Sequence, residues 1–436
     1  MFFPLLLSYM INYILISSIG LLIVFLALSP TFSLFLLAIT APIINLNFNF
    51  AIFEIPFSDA IALLAFFAWL LSLFYNLAFQ PKTKINLRFP LFFPFLCFIA
   101  ANALSLFNHP QPLSGFYYIT RWLILLYAAY IFLPVNLIKK EKTLKITVLA
   151  LALSSLILMI SGWLSLWGQD WQDSFFRIRS IAWWGFYPFG ENHNLIAEFL
   201  NAGAFLWLVL KEWTTWPRLK RLFNILFIIS LAAVIMTFSR AAWITLALQL
   251  SIYILWRQRR YWQTRGALFF LAIIAVVLLS LPILARMQAL QIENTSSTEN
   301  RVLLLKIAYQ SWRDKLILGQ GSGRFTELVA DNIRFTAKYG EAIDSHGFLQ
   351  KIAAENGIFG LLAWLFLLIV VLKKAILALK KYGQEAPWLL PLWLAGGGAI
   401  FFQIFNTSYY KGKVWLLITL AIIASELAAK KYGQKN

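Results

Sequence analysis

Charge is scarce in this sequence. Asp, Glu, Lys and Arg make up 13% of its 436 residues, about half the share found in soluble globular domains. That excludes an ordinary soluble fold, and a hydrophobic share of 61% points the same way. Cysteine is almost absent: Cys97 stands alone inside an apolar run. No intramolecular disulfide can form, and the residue is silent about redox compartment. No His-Glu-x-x-His pattern and no cysteine pair occurs, so a zinc centre has no ligand set. The N-terminal apolar run has no Lys or Arg before it and no small-residue cleavage site after it. It reads as a retained membrane segment, not a signal peptide. The short alternating segments of a β-barrel are missing as well.

What fills the chain instead is a series of apolar runs of about 20 residues, long enough to cross a hydrocarbon core as helices. Candidate spans lie near 57–78, 88–107, 116–135, 145–166, 191–210, 221–238, 240–256, 266–284, 346–372, 386–405 and 413–429. The stretch 5–46 is interrupted by Pro30 and Pro42 and reads as one span plus a re-entrant piece, or as two spans. The expectation is an all-α polytopic membrane protein with 12 or 13 transmembrane helices, 12 being preferred. Its parts are N-terminal helices over 1–284, a non-cytoplasmic loop over 285–345 and C-terminal helices over 346–436.

Counting Glu385 with the fifth, clusters at 82–88, 139–145, 211–221, 257–265, 373–381 and 430–435 account for the net charge of +19. These connections alternate with non-basic ones, as the positive-inside rule requires of cytoplasmic loops. The charge therefore reports topology and contact with membrane lipids rather than nucleic acid. The C-terminus is expected in the cytoplasm, and an even span count puts the N-terminus there too.

The connection 285–345 is too long for a simple turn, and loops of that length are commonly functional or disordered. It holds eight basic and seven acidic residues among Leu303, Leu304, Ile307, Trp312, Leu316 and Ile317. Asn300–Trp312 has helical spacing of its apolar residues, and Gly319, Gly321 and Gly323 read as a flexible turn. A small folded lid is expected. The glycine pattern resembles a phosphate loop only superficially, because it follows no strand and lacks the Gly-Lys-Ser/Thr ending.

All three histidines, His109, His193 and His346, fall in or beside non-cytoplasmic connections. Histidine exchanges protons near neutral pH. His346 opens a span in Asp344-Ser345-His346-Gly347, with Glu355, Gly357 and Gly360 downstream. It reads either as a proton-transfer group or as an interfacial residue beside a helix cap supplied by Asp344 or Ser345. Arg240, in Thr237-Phe238-Ser239-Arg240, lies between two apolar runs. There it either binds a phosphate through paired hydrogen bonds or snorkels to the interface. Arg301 opens the loop helix, where its charge opposes the helix dipole. It reads as functional or simply solvated. Arg177 and Arg179, with Asn192, His193 and Asn194, bring cations and amides to the same side. Trp163, Trp167, Trp171, Trp183 and Trp184 crowd that region, as sugar-stacking faces or as interface anchors.

Three segments together resemble the O-antigen ligase and polymerase superfamily of bacterial envelopes. They are Thr237–Trp243; Asn300-Arg301 through Trp312 into Gly319–Phe325; and Asp344–Leu361. Weaker likeness at Pro56–Asp59 and Asn192–Ala197 extends the resemblance over most of the chain. Gly347 departs from the pattern, which often has Asn after the histidine. The resemblance implies a GT-C-like helical membrane fold in the bacterial inner membrane, with the active site facing the periplasm. It implies metal-independent glycosyl transfer without a cofactor. The donor would be an undecaprenyl-diphosphate-linked glycan. The acceptor would be a hydroxyl on lipid A core, on another glycan or on a protein. His346 would be the general base, and Arg240 and Arg301 would stabilise the departing diphosphate. Arg177, Arg179, Asn192, His193, Asn194, Ser345 and Glu355 would form the substrate-binding surround. Glu355 lies nine residues beyond His346, about 14 Å along a helix, too far for direct contact. A polymerase of the same superfamily is the nearest alternative. A transporter would show inverted repeats and mid-span charges, a flippase a cationic central cavity. A scaffold would leave the paired motifs unexplained.

Overall fold

A computed structural model describes residues 20–50, 53–79, 86–167, 169, 177–183, 186–257 and 295–433. The expected span 266–284, most of the basic cluster 257–265, Trp171, Trp184 and residues 5–19 lie outside the described residues.

The order of elements is α1 (Gly20–Leu28), α2 (Pro30–Thr40), β1 (Asn47–Phe50), β2 (Phe53–Pro56), α3 (Phe57–Phe79), α4 (Phe92–Ser105), α5 (Pro112–Leu137), α6 (Glu141–Leu164), α7 (His193–Trp213), α8 (Pro217–Met236) and α9 (Arg240–Arg257). Then follow α10 (Thr295–Asp314), α11 (Phe325–Ala330), α12 (Ile333–Tyr339), α13 (Phe348–Tyr382), α14 (Leu389–Phe402) and α15 (Gly412–Tyr432). Seven of these are long and apolar enough to span: α3, α5, α6, α7, α8, α13 and α15. The pair α1 and α2, bent by 114°, is either one broken span or a re-entrant loop. The bend falls where Pro30 occupies the first turn of α2, since proline cannot donate to the preceding turn. The described residues thus give a polytopic helical membrane protein with fewer spans than the expected 12. The shorter α4 and α14 account for two of the missing ones.

One departure from an all-helical chain is the antiparallel pair β1–β2, with Asn47 opposite Pro56 and Phe48 opposite Ile55. The alternation Asn-Phe-Asn-Phe has the two-residue period of a strand, which the surrounding apolar run conceals.

Helices α7 and α15 are buried over 83% and 78% of their apolar lengths, against 17% for α8, 22% for α3 and 28% for α13. The first two are the core of the bundle, and the last three turn most of their surface outward. An exposed leucine on α3 or α13 suits a lipid surrounding, which is as apolar as a protein core.

Helix α13 is interrupted. Gly357 sits at φ 62°, ψ −155°, a left-handed conformation that favours glycine. The break takes the Ile358 and Phe359 N–H groups away from the Ala354 and Glu355 carbonyls they would otherwise meet. The loop after α10 supplies substitutes. Ile358 N donates to Leu316 O (3.0 Å), and Phe359 N to Ile317 O (3.3 Å). Gln320 N donates to Ala354 O (2.8 Å), and Gly321 N to Glu355 O (2.9 Å). All four freed groups are paired, each avoiding a cost of about 1–3 kcal/mol for an unsatisfied buried group. The Gly319–Gly323 segment, expected as a flexible turn, is instead a packed ledge. Gly319 is at φ 71°, and a Cβ there would collide with the backbone of Glu355 and Asn356.

Above this ledge α10, α11 and α12 share a small core of Leu304, Ile307, Ala308, Phe325, Val329 and Phe335, with Ala354 of α13 as its floor.

The interruption yields a stability prediction. Gly357→Ala forces a strained left-handed Cβ, costing about 1–3 kcal/mol, and collides with the Ile317 carbonyl. Gly397, in α14, has open space where a Cβ would go. Thermal unfolding in detergent is expected to show a clear fall for Gly357→Ala and none for Gly397→Ala.

Candidate functional site

The site is assembled from the ends of four helices. Residues Arg177–Arg179 are pinned at three points. Ile178 N donates to Met236 O (2.9 Å), Arg179 N to Ser165 Oγ (2.9 Å) and Arg177 N to Gln169 Oε1 (3.1 Å). Gln169 Nε2 also donates to Arg177 O (2.7 Å). This holds both arginines against the end of α8, just before Thr237-Phe238-Ser239-Arg240.

That tetrapeptide is a strained turn. Phe238 has φ 52°, uncommon for a bulky residue. Ser239 caps α9 by accepting from Ala242 N (3.4 Å), and its hydroxyl donates to Asn194 Oδ1 (2.6 Å). Asn192 caps α7 through Asn194 N (2.9 Å). Two helix starts are therefore tied together, with His193 on one and Arg240 on the other. Arg240 is the first residue of α9 and exposed. A cation at a helix N-terminus opposes the dipole by about 0.3–1 kcal/mol, so helix stability does not explain it. For Arg301 the corresponding sequence argument fails. Its helix begins at Thr295, which puts Arg301 in the second turn, beyond the reach of the terminal dipole.

Electrostatics joins these segments. Burial, and then Arg240, pull the Arg301 guanidinium below its ordinary range. Burial, and then Arg179, do the same to Arg177. His193 lies in the field of Arg177, Arg301 and Arg179. Burial holds the His346 imidazole below its ordinary 6.5, Arg301 adds to the effect, and Asp344 opposes it. Burial and Arg301 thus both favour the uncharged form of the His346 imidazole. Arg301 Nε is buried with no hydrogen-bond partner among the described residues. The cationic groups Arg177, Arg179, Arg240 and Arg301 and two of the three histidines thus share one neighbourhood.

His109 is elsewhere. Its Nδ1 accepts from Gln111 N (2.9 Å), and its ring fills the space beside Gly321. It supports the ledge and does not reach the cationic group.

His346 is held by its neighbours. Neither Asp344 nor Ser345 caps α13. Gly347 is the cap residue, and Gln350, three residues on, reaches back. With its amide oriented as the surrounding donors require, Gln350 accepts from His346 N (3.1 Å) and Gly347 N (3.2 Å). This is the return half of a capping box. Gly347 lies so close to the Ile404 carbonyl that a Cβ would sit 2.8 Å from it, which accounts for the small residue after the histidine.

Sequence reasoning missed what lies beneath. Lys351 is 4% exposed and donates to both Asp344 oxygens (2.7 and 2.8 Å). Glu355 stands 3.7 Å away on its other side. Tyr410 OH donates to Asp344 (3.2 Å), and the rings of Tyr410 and Tyr118 lie 5.3 and 5.7 Å from the ammonium. Glu355 in turn accepts from Phe325 N (2.9 Å), at the start of α11. Glu355 does not touch His346, as the helical distance required; it connects to that segment through Lys351 and Asp344. A second buried cluster fixes the ledge to α4: Asn356 Nδ2 donates to Ser322 Oγ (2.7 Å), Asn102 Oδ1 (3.1 Å) and Ser105 Oγ (3.2 Å). Ser345 and Glu355 are both buried and bond inward.

A cavity of about 280 Å³, lined by Trp69, Asn76, Asn136 and Lys139 among others, lies at the basic end of the bundle and shares no residue with this cluster.

Residues 225–365 match the model of the O-antigen ligase family. The matched stretch contains Arg240, Arg301, His346 and the interruption of α13, and it shows the resemblance to the O-antigen ligase superfamily. The match, confined to that stretch, supports an O-antigen ligase-like glycan-transfer function in general terms. No curated protein matches the chain.

Breaking a buried ion pair by removing one partner costs about 3–5 kcal/mol. Lys351→Met is therefore expected to lower the unfolding temperature sharply. Lys351→Met combined with Asp344→Asn is expected to regain part of the loss, as a double-mutant comparison of melting curves would show.

Proposed function

We propose that the protein transfers a glycan from an undecaprenyl-diphosphate-linked donor to a hydroxyl acceptor, on the periplasmic side of a bacterial inner membrane. The observation that carries the reading is the gathering of Arg301 and Arg240 around the mostly buried His346, whose imidazole burial and Arg301 hold below its ordinary range. In this reading His346 accepts the proton of the acceptor hydroxyl. The hydroxyl oxygen attacks the anomeric carbon, and the bond from that carbon to the phosphate oxygen breaks with inversion. The diphosphate leaves with the bonding pair, and Arg240 and Arg301 meet its developing charge. Arginine suits this role because its planar fork pairs with phosphate oxygens and keeps its charge when partly buried. Arg177, Arg179, His193 and the Asn192–Asn194 turn line the approach. Ser345 and Glu355, expected to touch substrate, act in this proposal as supports of the His346 segment. The GT-C-like architecture and a cytoplasmic C-terminus belong to the same proposal. A ligase would use lipid A core or a protein hydroxyl as acceptor; a polymerase would use another lipid-linked repeat.

Purified protein with a lipid-linked donor tests the assignment. His346→Ala and Arg240→Ala are expected to reduce transfer by about 10²-fold or more while the proteins insert and accumulate normally. Wild-type turnover by either variant would remove that residue from the mechanism. Deleting the gene separates the acceptors: loss of long chains on lipid A with lipid-linked polymer retained means ligase, and accumulation of single repeats means polymerase.

The pH dependence follows from the neutral imidazole. A lowered folded-state pKa favours the uncharged ring, so its contribution to stability is complete above pH 6.5 and fades as pH falls below it. The midpoint of the acid limb of transfer is expected to lie below pH 6.5. Arg301→Gln removes a cation that depresses the imidazole, so the residual activity should show its acid limb at higher pH. An acid limb that does not move would count against the coupling.

A further inference from the structure

The helix that carries Arg301 has two apolar faces. One is the core face, where Leu304, Ile307, Ala308 and Ser311 are buried at the spacing of a helical stripe. The other is Val302, Leu305 and Tyr309, at i, i+3 and i+7, all about half exposed at 47%, 53% and 57%. Polar Lys306, Gln310 and Arg313 are exposed along one edge of this second stripe. A lid standing free in water has no use for the second face.

The stripe does not end with the helix. Exposed Leu316 and Ile317 extend it, and their carbonyls accept from Ile358 and Phe359. Phe359 begins the exposed row Phe359, Leu362, Leu365, Phe366, Ile369 and Leu372 of α13, whose three- and four-residue spacing marks the lipid-facing side of that span. The apolar surface is therefore continuous from the membrane span, across the four backbone hydrogen bonds at Gly357, onto α10. Tyr309 with Trp312 beside it (6.3 Å between rings) is the aromatic pairing that membrane interfaces favour. Lys306 and Arg313 suit phosphate headgroups.

We propose that α10 lies in the bilayer interface, with Val302, Leu305 and Tyr309 inserted among the lipids of the leaflet next to the cap. The partner is the lipid surface. Arg301 sits on the helix between the buried face and this inserted face, so its guanidinium is held at the boundary between lipid and water. A lipid-anchored phosphate resides at that depth. The contact with lipid does not rest on the proposed transfer reaction and is measured without it.

Single-cysteine variants in a Cys97→Ser background test the placement. Val302→Cys, Leu305→Cys and Tyr309→Cys would each be labelled with a nitroxide in the full-length protein, reconstituted in phosphatidylglycerol–phosphatidylethanolamine vesicles. Leu362→Cys serves as a lipid-exposed reference and Arg334→Cys as a water-exposed one. Collision with molecular oxygen reports lipid, and collision with a water-soluble nickel chelate reports solvent. The expected result is high oxygen and low chelate accessibility at all three positions, nearer to the Leu362→Cys values. Chelate accessibility matching Arg334→Cys overturns the proposal, because the helix then stands in water. Exclusion of both probes overturns it too, because protein then covers the stripe, either another segment of this chain or a second copy.

Discussion

Gly357 interrupts α13, and the cap depends on that interruption. Two carbonyls and two N–H groups leave the helical ladder there, and the backbone of residues 316–321 takes up all four. Backbone hydrogen bonds leave little freedom in position, so the ledge is locked to the helix that follows His346. Everything anchored to the ledge inherits that fixed position. Helix α10 precedes it and carries Arg301, α11 follows it and is bonded to Glu355, and the Ser322–Asn356 cluster ties it to α4. A continuous α13 would leave these segments without partners.

The site gathers positive charge at the edge of a low-dielectric region, and such charge is tolerated only with local compensation. The protein separates the two roles. Lys351 is fully matched by Asp344 and Glu355 and serves as structure. Arg301 keeps a buried Nε without a partner among the described residues, and Arg240 stands at a helix start whose dipole it opposes. In the proposed reaction these two cations meet the diphosphate, and a cation held at such a cost is a functional-site candidate. The pair Glu198–Lys413, 2.9 Å apart and buried between α7 and α15, belongs with Lys351. It is a closed internal pair near the same end of the bundle.

Much of this was legible in the sequence, and the reason is periodicity. Apolar runs and their basic flanks report spans directly, and Asn300–Trp312 showed helical spacing within what became α10. The candidate residues were readable because charge and histidine are rare here and stand out. What escaped was long-range. Asn102 and Asn356 are 254 positions apart, and nothing in either run announces the other. Gly357 and Gly360 are visible in sequence only as glycines downstream of His346, because a positive φ leaves no trace in residue type beyond glycine itself. Lys351 carries no signal of its own in the sequence. Its two carboxylates lie seven residues before it and four after, and only the turn into α13 brings the first of them back. The apolar spacing puts the start of α10 at Asn300, five residues late, so the dipole penalty expected of Arg301 is misplaced. It belongs to Arg240.

The proposed reaction assigns proton acceptance to His346 and diphosphate binding to Arg240 and Arg301, and equilibrium binding of polyprenyl diphosphate, the departing group, tests that division most directly. Wild-type protein should bind it with an affinity that weakens as salt rises. His346→Ala should bind within a few-fold of wild type. Arg240→Ala combined with Arg301→Ala should lose about tenfold or more, since charge-assisted hydrogen bonds are worth about 1.5–3 kcal/mol each. Undiminished binding by the double arginine variant would contradict the central claim that these two side chains hold the diphosphate.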